Sequence, residues 1–206
     1  MVIERQKANS KQSNLIILAS GSPRRTQLLD EYNISHEVIP SKAEEISFHE
    51  DGPLSLVMEN AKIKASEVAE QFPERLVLGA DTIVSLGKQI FGKPTDIQNA
   101  EQMLSILSGE THLVSTGVCL ICKNTGYLET RVESSEVSFQ DLSPEMIKKY
   151  FEFVNPLDKA GAYALQTKPE LIIKDFIGSH SNVVGLPMEM VSTWLEESFS
   201  QGILRD

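Results

Sequence analysis

The chain has 206 residues, enough for one large domain, and its 19 Lys and Arg against 29 Asp and Glu give a net charge of −10. Its 41% hydrophobic and 23% charged residues exclude a disordered or fibrous protein. The acidic balance argues against a nucleic acid polymer as a partner, because proteins that bind one usually present a basic face. A small anionic substrate remains compatible with this charge if a metal ion or a local group of basic residues offsets it.

The sequence predicts a cytoplasmic protein that does not enter a membrane. No stretch approaches the roughly 20 apolar residues of a membrane span, and the first residues lack the apolar segment of a signal peptide. Two cysteines do not make a disulfide framework, which fits a reducing compartment. Residues 1–13 are polar and aperiodic, so we expect a flexible tail followed by a single domain over residues 14–206.

Apolar runs and helix-start signals predict alternating strands and helices in the first half of the chain. Ser22 and Pro23 are typical of a helix start, and Leu28, Leu29 and Tyr32 form the apolar stripe of that helix. The predicted elements are a buried strand over Leu15–Ala19, helices from Pro23 to about Tyr32 and from Pro53 to Gln71, a buried strand over Leu76–Ala80, and a hairpin of Ile83–Leu86 and Gln89–Phe91.

The second half of the chain begins with a helix that carries a capping box at Thr95 and Gln98 and ends before Gly109. The further predicted elements are strands over His112–Cys122, about Tyr127–Phe139, Ala162–Leu165 and Leu171–Phe176, a helix opened by Ser143 and Pro144, and a final helix over Pro187–Phe199. This order of elements predicts an α/β fold in which helices pack around a mixed sheet.

The junction between the first strand and the first helix is a candidate anion site. Ser20 and Gly21 lead into the helix, and Arg24 and Arg25 lie in its first turn. A helix N-terminus offers free N–H groups and the positive end of the helix dipole, and arginine adds charged donors. The alternative is that Ser-Pro merely starts a helix and that both arginines are solvated.

Asp81 is a second candidate, because it directly follows the second buried strand. A carboxylate at the carboxyl end of a strand lies where open α/β sheets bind ligands, and it can hold a divalent cation or deprotonate water. Glu44 and Glu45 offer a second acidic point. The alternative is that Asp81 only turns a loop and that Glu44 and Glu45 are a solvated pair on the surface.

Basic and polar residues farther along the chain could complete such a site. Lys62 and Lys93 could each contact phosphate, although most lysines serve only solubility. The small residues of Asp158–Tyr163 indicate close approach of a ligand or of another backbone. Gln166 carries both donor and acceptor groups, which suit the reading of a base edge.

Seven short motifs in register resemble the Maf family of septum-formation-type proteins, which act as nucleoside triphosphate pyrophosphatases. The similarity spans about residues 15–199. The motifs are Ala19–Arg25, Glu44-Glu45, Gly79–Thr82, Gly92–Pro94, Ser108-Gly109 with His112, Asp158–Tyr163 with Gln166, and Asn182–Pro187. The resemblance implies a twisted mixed sheet with flanking helices and a central cleft, the fold of Ham1-type inosine triphosphate pyrophosphatases, and it leaves a homodimer open.

The resemblance also implies roles for single residues. The family's catalytic aspartate falls on Asp81, which together with Glu45 would hold a divalent cation such as Mg²⁺ or Mn²⁺. The subgroup that hydrolyses dTTP and UTP has threonine after that aspartate and glutamine after an Ala-Gly-Ala-Tyr string, as this chain has at Thr82 and Gln166. These two residues and Arg24 would contact the base. The phosphate-binding residues that the resemblance implies are Ser20, Arg25, Lys62 and Lys93.

Two alternative functions stay open on the sequence alone. One is a regulator of cell division that binds nucleotides without hydrolysing them, which would need the basic residues but neither Asp81 nor Glu45. The other is a purine-specific house-cleaning pyrophosphatase with the same fold. The chain also departs from the family pattern after Gln166, where Thr167–Glu170 replaces the usual glycine-rich turn.

Overall fold

A seven-stranded mixed sheet is the framework of residues 15–200, the part of the chain that the structure, a computed structural model, describes. The flexible tail predicted over residues 1–13 lies outside these residues. The strands are β1 (Ile16–Leu18), β2 (His36–Val38), β3 (Val77–Leu86), β4 (Gln89–Phe91), β5 (Thr111–Cys122), β6 (Tyr127–Phe139) and β7 (Ile173–Ile177). Their order is β2-β1-β3-β5-β6-β7, with β4 paired to β3. The β1 pairings with β2 and β3 are parallel and the others antiparallel, which confirms the predicted fold class.

Six α-helices within the described residues cover this sheet. They are α1 (Pro23–Glu31), α2 (Pro53–Gln71), α3 (Ile97–Leu107), α4 (Pro144–Phe151), α5 (His180–Val184) and α6 (Met188–Ser200). The structure confirms the predicted bounds of α2 and of the β3–β4 hairpin, whereas the short helix α5 was not predicted. No helix within residues 15–200 is long and apolar enough to span a membrane.

Side chains alternate between two cores, one on each face of the sheet. Leu78 and Leu120 belong to a core that α1 and α6 cover, while the neighbouring residues Val77 and Ile121 belong to a core that α2 covers. Farther along the first face, Val84 lies in a third group of buried residues that α3 and α4 complete. Helices therefore cover both faces, as the resemblance implied.

Two glycines allow α2 to lie unusually close to the centre of the sheet. A Cβ at Gly79 in β3 would collide with the carbonyl oxygen of Ala61, and one at Gly117 in β5 would collide with that of Val57. Because α2 approaches so closely, its polar residues reach the edge of β3.

The edge of β3 is open over a few residues in its middle. On this side, β1 pairs with Val77 and Leu78, and β4 pairs with β3 only from Val84 onward. The sequence predicted that the strand ends at Ala80 and that Asp81 follows it, which is wrong. β3 continues through Asp81 because its pairing with β5 is unbroken as far as Ser85. It is β1 that ends, so Asp81 lies in mid-strand at a gap between two neighbouring strands.

Three local predictions are also wrong. Ala162–Leu165 is not a strand, because Gly161 and Ala162 have φ angles of 67° and 64°, which an extended strand does not allow. Asp96 rather than Thr95 caps α3, and its side chain accepts a hydrogen bond from the backbone within the first turn. Tyr32 is 40% exposed because it follows the last residue of α1.

The small residues of Asp158–Tyr163 serve close packing of this segment on β3. A Cβ at Gly161 would press against the side chain of Val84. The close approach predicted for this segment is therefore made, at this position, by another part of the protein. The strand predicted over Leu171–Phe176 is present as β7, while Pro169–Leu171 forms a single 3-10 turn ahead of it.

Candidate active site

A cleft of about 560 Å³ opens at the gap in the edge of β3. Neighbouring strand residues point to opposite faces of a sheet, yet Asp81 and Thr82 both line this cleft because no strand within residues 15–200 covers the edge between them. Two groups of residues form its functional parts. We call Glu45, Asn60, Lys64 and Asp81 the carboxylate end, and Ser20, Arg25, Thr82 and Gly185 the arginine end.

Asp81 is the centre of the carboxylate end and is only 6% exposed. Lys64 Nζ lies 2.7 Å from Asp81 Oδ1 and 2.9 Å from Glu45 Oε1, so one ammonium group bridges two carboxylates. Asn60 Nδ2 donates to Asp81 Oδ2 at 3.2 Å. Two carboxylates against one ammonium leave this end with an excess of negative charge.

Asn60 also fixes the segment that carries Glu45. Its Oδ1 accepts from Ile46 N at 2.9 Å, and its Nδ2 donates to Ile46 O at 3.0 Å. Asn60 is 3% exposed, so these bonds are shielded from water. One buried amide therefore holds Asp81 and positions Glu45 beside it.

Lys62 does not reach the cleft, contrary to the prediction. Its ammonium pairs with Glu59 Oε2 at 3.3 Å, and its side chain is partly exposed outside the cleft lining. Lys64 and Asn60 are four positions apart and therefore share the helix face that lies over β3, whereas Lys62, midway between them, does not. Neither Lys64 nor Asn60 was predicted from the sequence, although their helical spacing was a usable signal.

Arg25 is the centre of the arginine end, where only neutral groups hold its guanidinium. Nε donates to Gly185 O at 2.8 Å, Nη1 to Ser20 Oγ at 2.9 Å and Nη2 to Thr82 Oγ1 at 3.1 Å. Within residues 15–200 its guanidinium forms no ion pair with a carboxylate, and one N–H on each terminal nitrogen stays free of these bonds. Burial lowers the pKa of Arg25, and the charges of Asp81 and Glu45 partly offset that effect.

The neighbouring Arg24 has a different environment. Its Nη1 pairs with Asp158 Oδ2 at 3.2 Å, and Lys159 Nζ lies 2.7 Å from Asp158 Oδ1. Burial would raise the pKa of Asp158, but the hydrogen bonds and charges of Lys159 and Arg24 outweigh it and lower the pKa. All three side chains line the cleft, so this wall carries two cations that share one carboxylate. Lys159 is another residue that the sequence analysis missed.

The other predicted site residues lie at the cleft or directly behind it. Lys93 and Gln166 are exposed and line the cleft, as Glu45 does. Ser20 is 7% exposed and accepts from Arg25 and from Ser22 N, so it contributes by holding Arg25. The structure thus brings every predicted site residue except Lys62 to the cleft or to its supporting wall.

The carboxylate end is also the part of the cleft that suits a metal ion. Within residues 15–200, no group of three or more His, Cys, Asp and Glu side chains comes together as a ligand set. Asp81 and Glu45 converge on one nitrogen, and their carboxylates are the hard oxygen donors that Mg²⁺ and Mn²⁺ accept. These two residues fit such an ion if a bound molecule and water complete its coordination.

Comparisons with known proteins identify relatives over most of the chain. A family model described as "Maf-like protein" matches residues 15–198. A dTTP/UTP pyrophosphatase of Bacillus cytotoxicus is 46% identical over 172 residues, which cover 84% of this chain and 89% of the relative. A dTTP/UTP pyrophosphatase of Bacillus cereus strain Q1 is 43% identical over 182 residues, or 88% of this chain and 94% of the relative.

A solved structure supports the fold independently. The Staphylococcus aureus Ham1 protein superposes with a TM-score of 0.51, covering 89% of this chain and 99% of that one. At 15% sequence identity this likeness shows the fold alone, and it confirms the Ham1-type fold that the resemblance implied.

Proposed function

The chain belongs to the Maf-like protein family, and on that premise we propose that it hydrolyses dTTP and UTP to the monophosphate and pyrophosphate. The observation that carries the proposal is the pairing of two unlike groups in one cleft. A buried carboxylate lies at one end, and a half-buried guanidinium held only by neutral acceptors lies at the other. A binding protein without turnover would need the guanidinium but not the carboxylates.

In the proposed reaction, water attacks the α-phosphorus, the bond from that phosphorus to the bridging oxygen breaks, and pyrophosphate leaves with the bonding electrons. Asp81 accepts a proton from the attacking water. Its two oxygens each accept one hydrogen bond from Lys64 or Asn60, so each keeps a lone pair for that proton. Lys64 and Asn60 hold the carboxylate in one orientation. The rate benefits because the carboxylate does not have to be ordered at the moment of reaction.

The basic residues of the cleft neutralise the phosphates. Arg25 has two N–H groups free of its three neutral partners, a geometry that suits two oxygens of one phosphate. Arg24, Lys93 and Lys159 lie on the same cleft and would stabilise charge that develops on the leaving pyrophosphate.

A divalent cation such as Mg²⁺ or Mn²⁺ is part of the proposal, with Asp81 and Glu45 as its protein ligands. When bound, such an ion supplies positive charge that offsets the repulsion between a triphosphate and a protein of net charge −10. We also place the enzyme in the cytoplasm, where nucleotide pools are, and without a nucleic acid partner. Sedimentation of the full chain tests the homodimer that the resemblance left open.

A screen of pyrophosphate release from the canonical ribo- and deoxyribonucleoside triphosphates, with 7-methyl-GTP added, tests the proposal. We expect dTTP and UTP to be hydrolysed much faster than ATP, GTP and 7-methyl-GTP. A site that hydrogen-bonds one base edge rejects another base strongly, because buried polar groups are then left unpaired. Equal rates on all canonical triphosphates would overturn the base preference, and nucleotide binding without any pyrophosphate release would overturn the enzyme.

Gln166 is the residue on which the base preference is tested most simply. Its side chain is exposed on the cleft and carries both a donor and an acceptor. Gln166→Glu removes the donor, so we expect the ratio of kcat/KM for dTTP over GTP to fall about tenfold. Glu170→Gln, four residues farther along the chain and outside the cleft lining, is the matched control and should leave that ratio unchanged.

A further inference from the structure

A chain of three hydrogen bonds connects the guanidinium of Arg25 to the interior of the protein. Arg25 Nη2 and Thr82 Oγ1 are 3.1 Å apart, the hydroxyl oxygens of Thr82 and Thr116 are 2.9 Å apart, and Thr116 Oγ1 lies 3.1 Å from Asn182 O. Thr116 and Asn182 are fully buried, so water cannot replace either partner. Thr116 and Asn182 lie away from the cleft and have no role in the function proposed above.

The hydrogens of this chain can be assigned by elimination. A hydroxyl has one hydrogen to donate, and a carbonyl oxygen can only accept. Thr116 donates to Asn182 O, so Thr82 supplies the hydrogen of the bond between the two threonines. The reverse order would leave Thr82 to donate to Gly185 O at 3.5 Å, the limit of a hydrogen bond. Thr82 therefore offers a lone pair to Arg25, and its hydrogen points away from the cleft.

Asn182 holds both ends of this arrangement in place. Its Nδ2 donates to Val114 O and to Ser135 Oγ, each at 2.9 Å, which fixes α5 against β5 and β6. The helix ends at Val184 and is capped by Gly185, which has a φ angle of 130° and whose carbonyl accepts from Arg25 Nε at 2.8 Å. The short helix and its capping glycine thus supply the acceptor for Thr116 and one of the three acceptors for Arg25.

We infer that Thr116 and Asn182 are positioning residues for the guanidinium of Arg25, and that Thr82 acts by holding Arg25 rather than by donating a hydrogen bond to the base. The inference rests on the proposed function in one respect, since it takes Arg25 to bind the triphosphate. It assigns to position 82 an effect on the phosphate part of the ligand, because Thr82 has no hydrogen free for the cleft. It also extends the site to two residues that no ligand touches.

Inorganic tripolyphosphate separates the two possible roles of Thr82, because it has phosphates but no base. Calorimetry measures its Kd for the wild type, Thr82→Val and Thr116→Val in the same Mg²⁺ buffer, alongside KM and kcat for dTTP. Loss of one hydrogen bond to a charged group corresponds to roughly tenfold in affinity. We expect both variants to bind tripolyphosphate about tenfold more weakly, with KM raised by a similar factor and kcat changed less.

Two further variants distinguish positioning from a general structural effect. Thr116→Ser keeps the hydroxyl and should restore wild-type affinity. Ser115→Ala is the matched control, because its hydroxyl is equally buried on β5 but pairs with Ser134 and not with the Arg25 chain. The double variant of Thr82 and Thr116 should bind tripolyphosphate no more weakly than either single variant, since both substitutions interrupt the same series of hydrogen bonds. If Thr116→Val does not fold, Thr116→Ala takes its place.

Three results would overturn the inference. They are wild-type tripolyphosphate affinity in a folded Thr116→Val, a loss of dTTP binding in Thr82→Val with unchanged tripolyphosphate binding, and an equal loss in Ser115→Ala. Failure of the proposed function looks different. The wild type would then release no pyrophosphate from dTTP, while the tripolyphosphate comparison would still report on Arg25.

Discussion

The two ends of the cleft hold their cations in opposite ways. At the carboxylate end, the ammonium of Lys64 lies between Asp81 and Glu45, so its charge is more than matched. At the arginine end, three neutral oxygens hold the guanidinium of Arg25. Even a half-buried cation without a carboxylate is costly unless a ligand supplies the anion. The arginine end is therefore suited to receive negative charge, and the carboxylate end to receive a proton or a metal ion.

Asp81→Asn gives the largest expected effect and tests the carboxylate end. The amide keeps the size of the side chain but can neither accept the proton of water nor contribute charge to a cation site. Loss of a general base typically costs on the order of 10²–10⁴ in rate. We expect kcat for dTTP to fall by at least that factor, with the Kd for dTTP retained, in steady-state kinetics and calorimetry at excess Mg²⁺. Comparable turnover in the variant and the wild type would show that another residue does the chemistry.

Arg25→Lys and Arg24→Lys test the arginine end against its exposed neighbour. Lysine keeps the charge at each position but cannot make three N–H contacts in one plane. We expect kcat/KM for dTTP to fall on the order of 10- to 100-fold in Arg25→Lys, because the three neutral acceptors lose their fixed partner. Arg24→Lys should cost less than tenfold, since its partner Asp158 is half exposed and exposed ion pairs contribute little. A larger loss in Arg24→Lys would reverse the comparison.

Lys64→Met and Lys62→Met sharpen the assignment of the lysine on α2. Methionine has a similar length and no charge, so each variant removes mainly the ammonium. Without Lys64, Asp81 and Glu45 repel each other and lose their fixed orientation, so kcat for dTTP should fall about tenfold. Lys62→Met removes only a surface pair with Glu59 and should change kcat by less than about twofold. Equal effects at the two positions would place Lys62 back among the functional residues.

His112 lies outside both ends and affects stability rather than turnover. Burial lowers its pKa to about 4 from 6.5, so the folded protein keeps it neutral where the unfolded chain protonates it. The unfolded state therefore binds more protons below pH 6.5, and the free energy of unfolding falls as the pH falls toward 4, by about 3 kcal/mol. Urea unfolding at several pH values should show this loss in the wild type but not in His112→Gln. Parallel curves for the two proteins would contradict it.

Much of the fold could be predicted because local patterns agreed with the tertiary structure. Proline at the start and an apolar face indicated the bounds of α2, and two long strand-like segments joined by the turn at Lys123–Gly126 predicted β5 and β6, although Val132–Ser135 blur the alternation of β6. The strand over Ala162–Leu165 could not be excluded in the same way. Two consecutive residues there take positive φ angles because the segment packs against Val84, which a single sequence does not show.

The site was predictable in its residue types but not in its internal contacts. Asp81 and Arg25 were identified from motif and position, and both lie where they can act. Lys62 was predicted and Lys64 was not, although the spacing of Lys64 from Asn60 and from the apolar residues of α2 indicates the buried face. The unlike environments of Arg24 and Arg25 depend on Asp158 and Gly185, which are more than 130 residues away along the chain.

Hydrolysis of dTTP in water enriched in oxygen-18 shows which phosphorus the water attacks. If Asp81 activates water beside the α-phosphorus while the arginine end holds the leaving pyrophosphate, one heavy oxygen enters dTMP and the pyrophosphate stays unlabelled. Mass spectrometry of the two products after a single turnover measures this. Heavy oxygen in the pyrophosphate, or release of dTDP and phosphate, would show that water attacks the β- or γ-phosphorus, which would contradict the proposed role of Asp81 at the α-phosphorus.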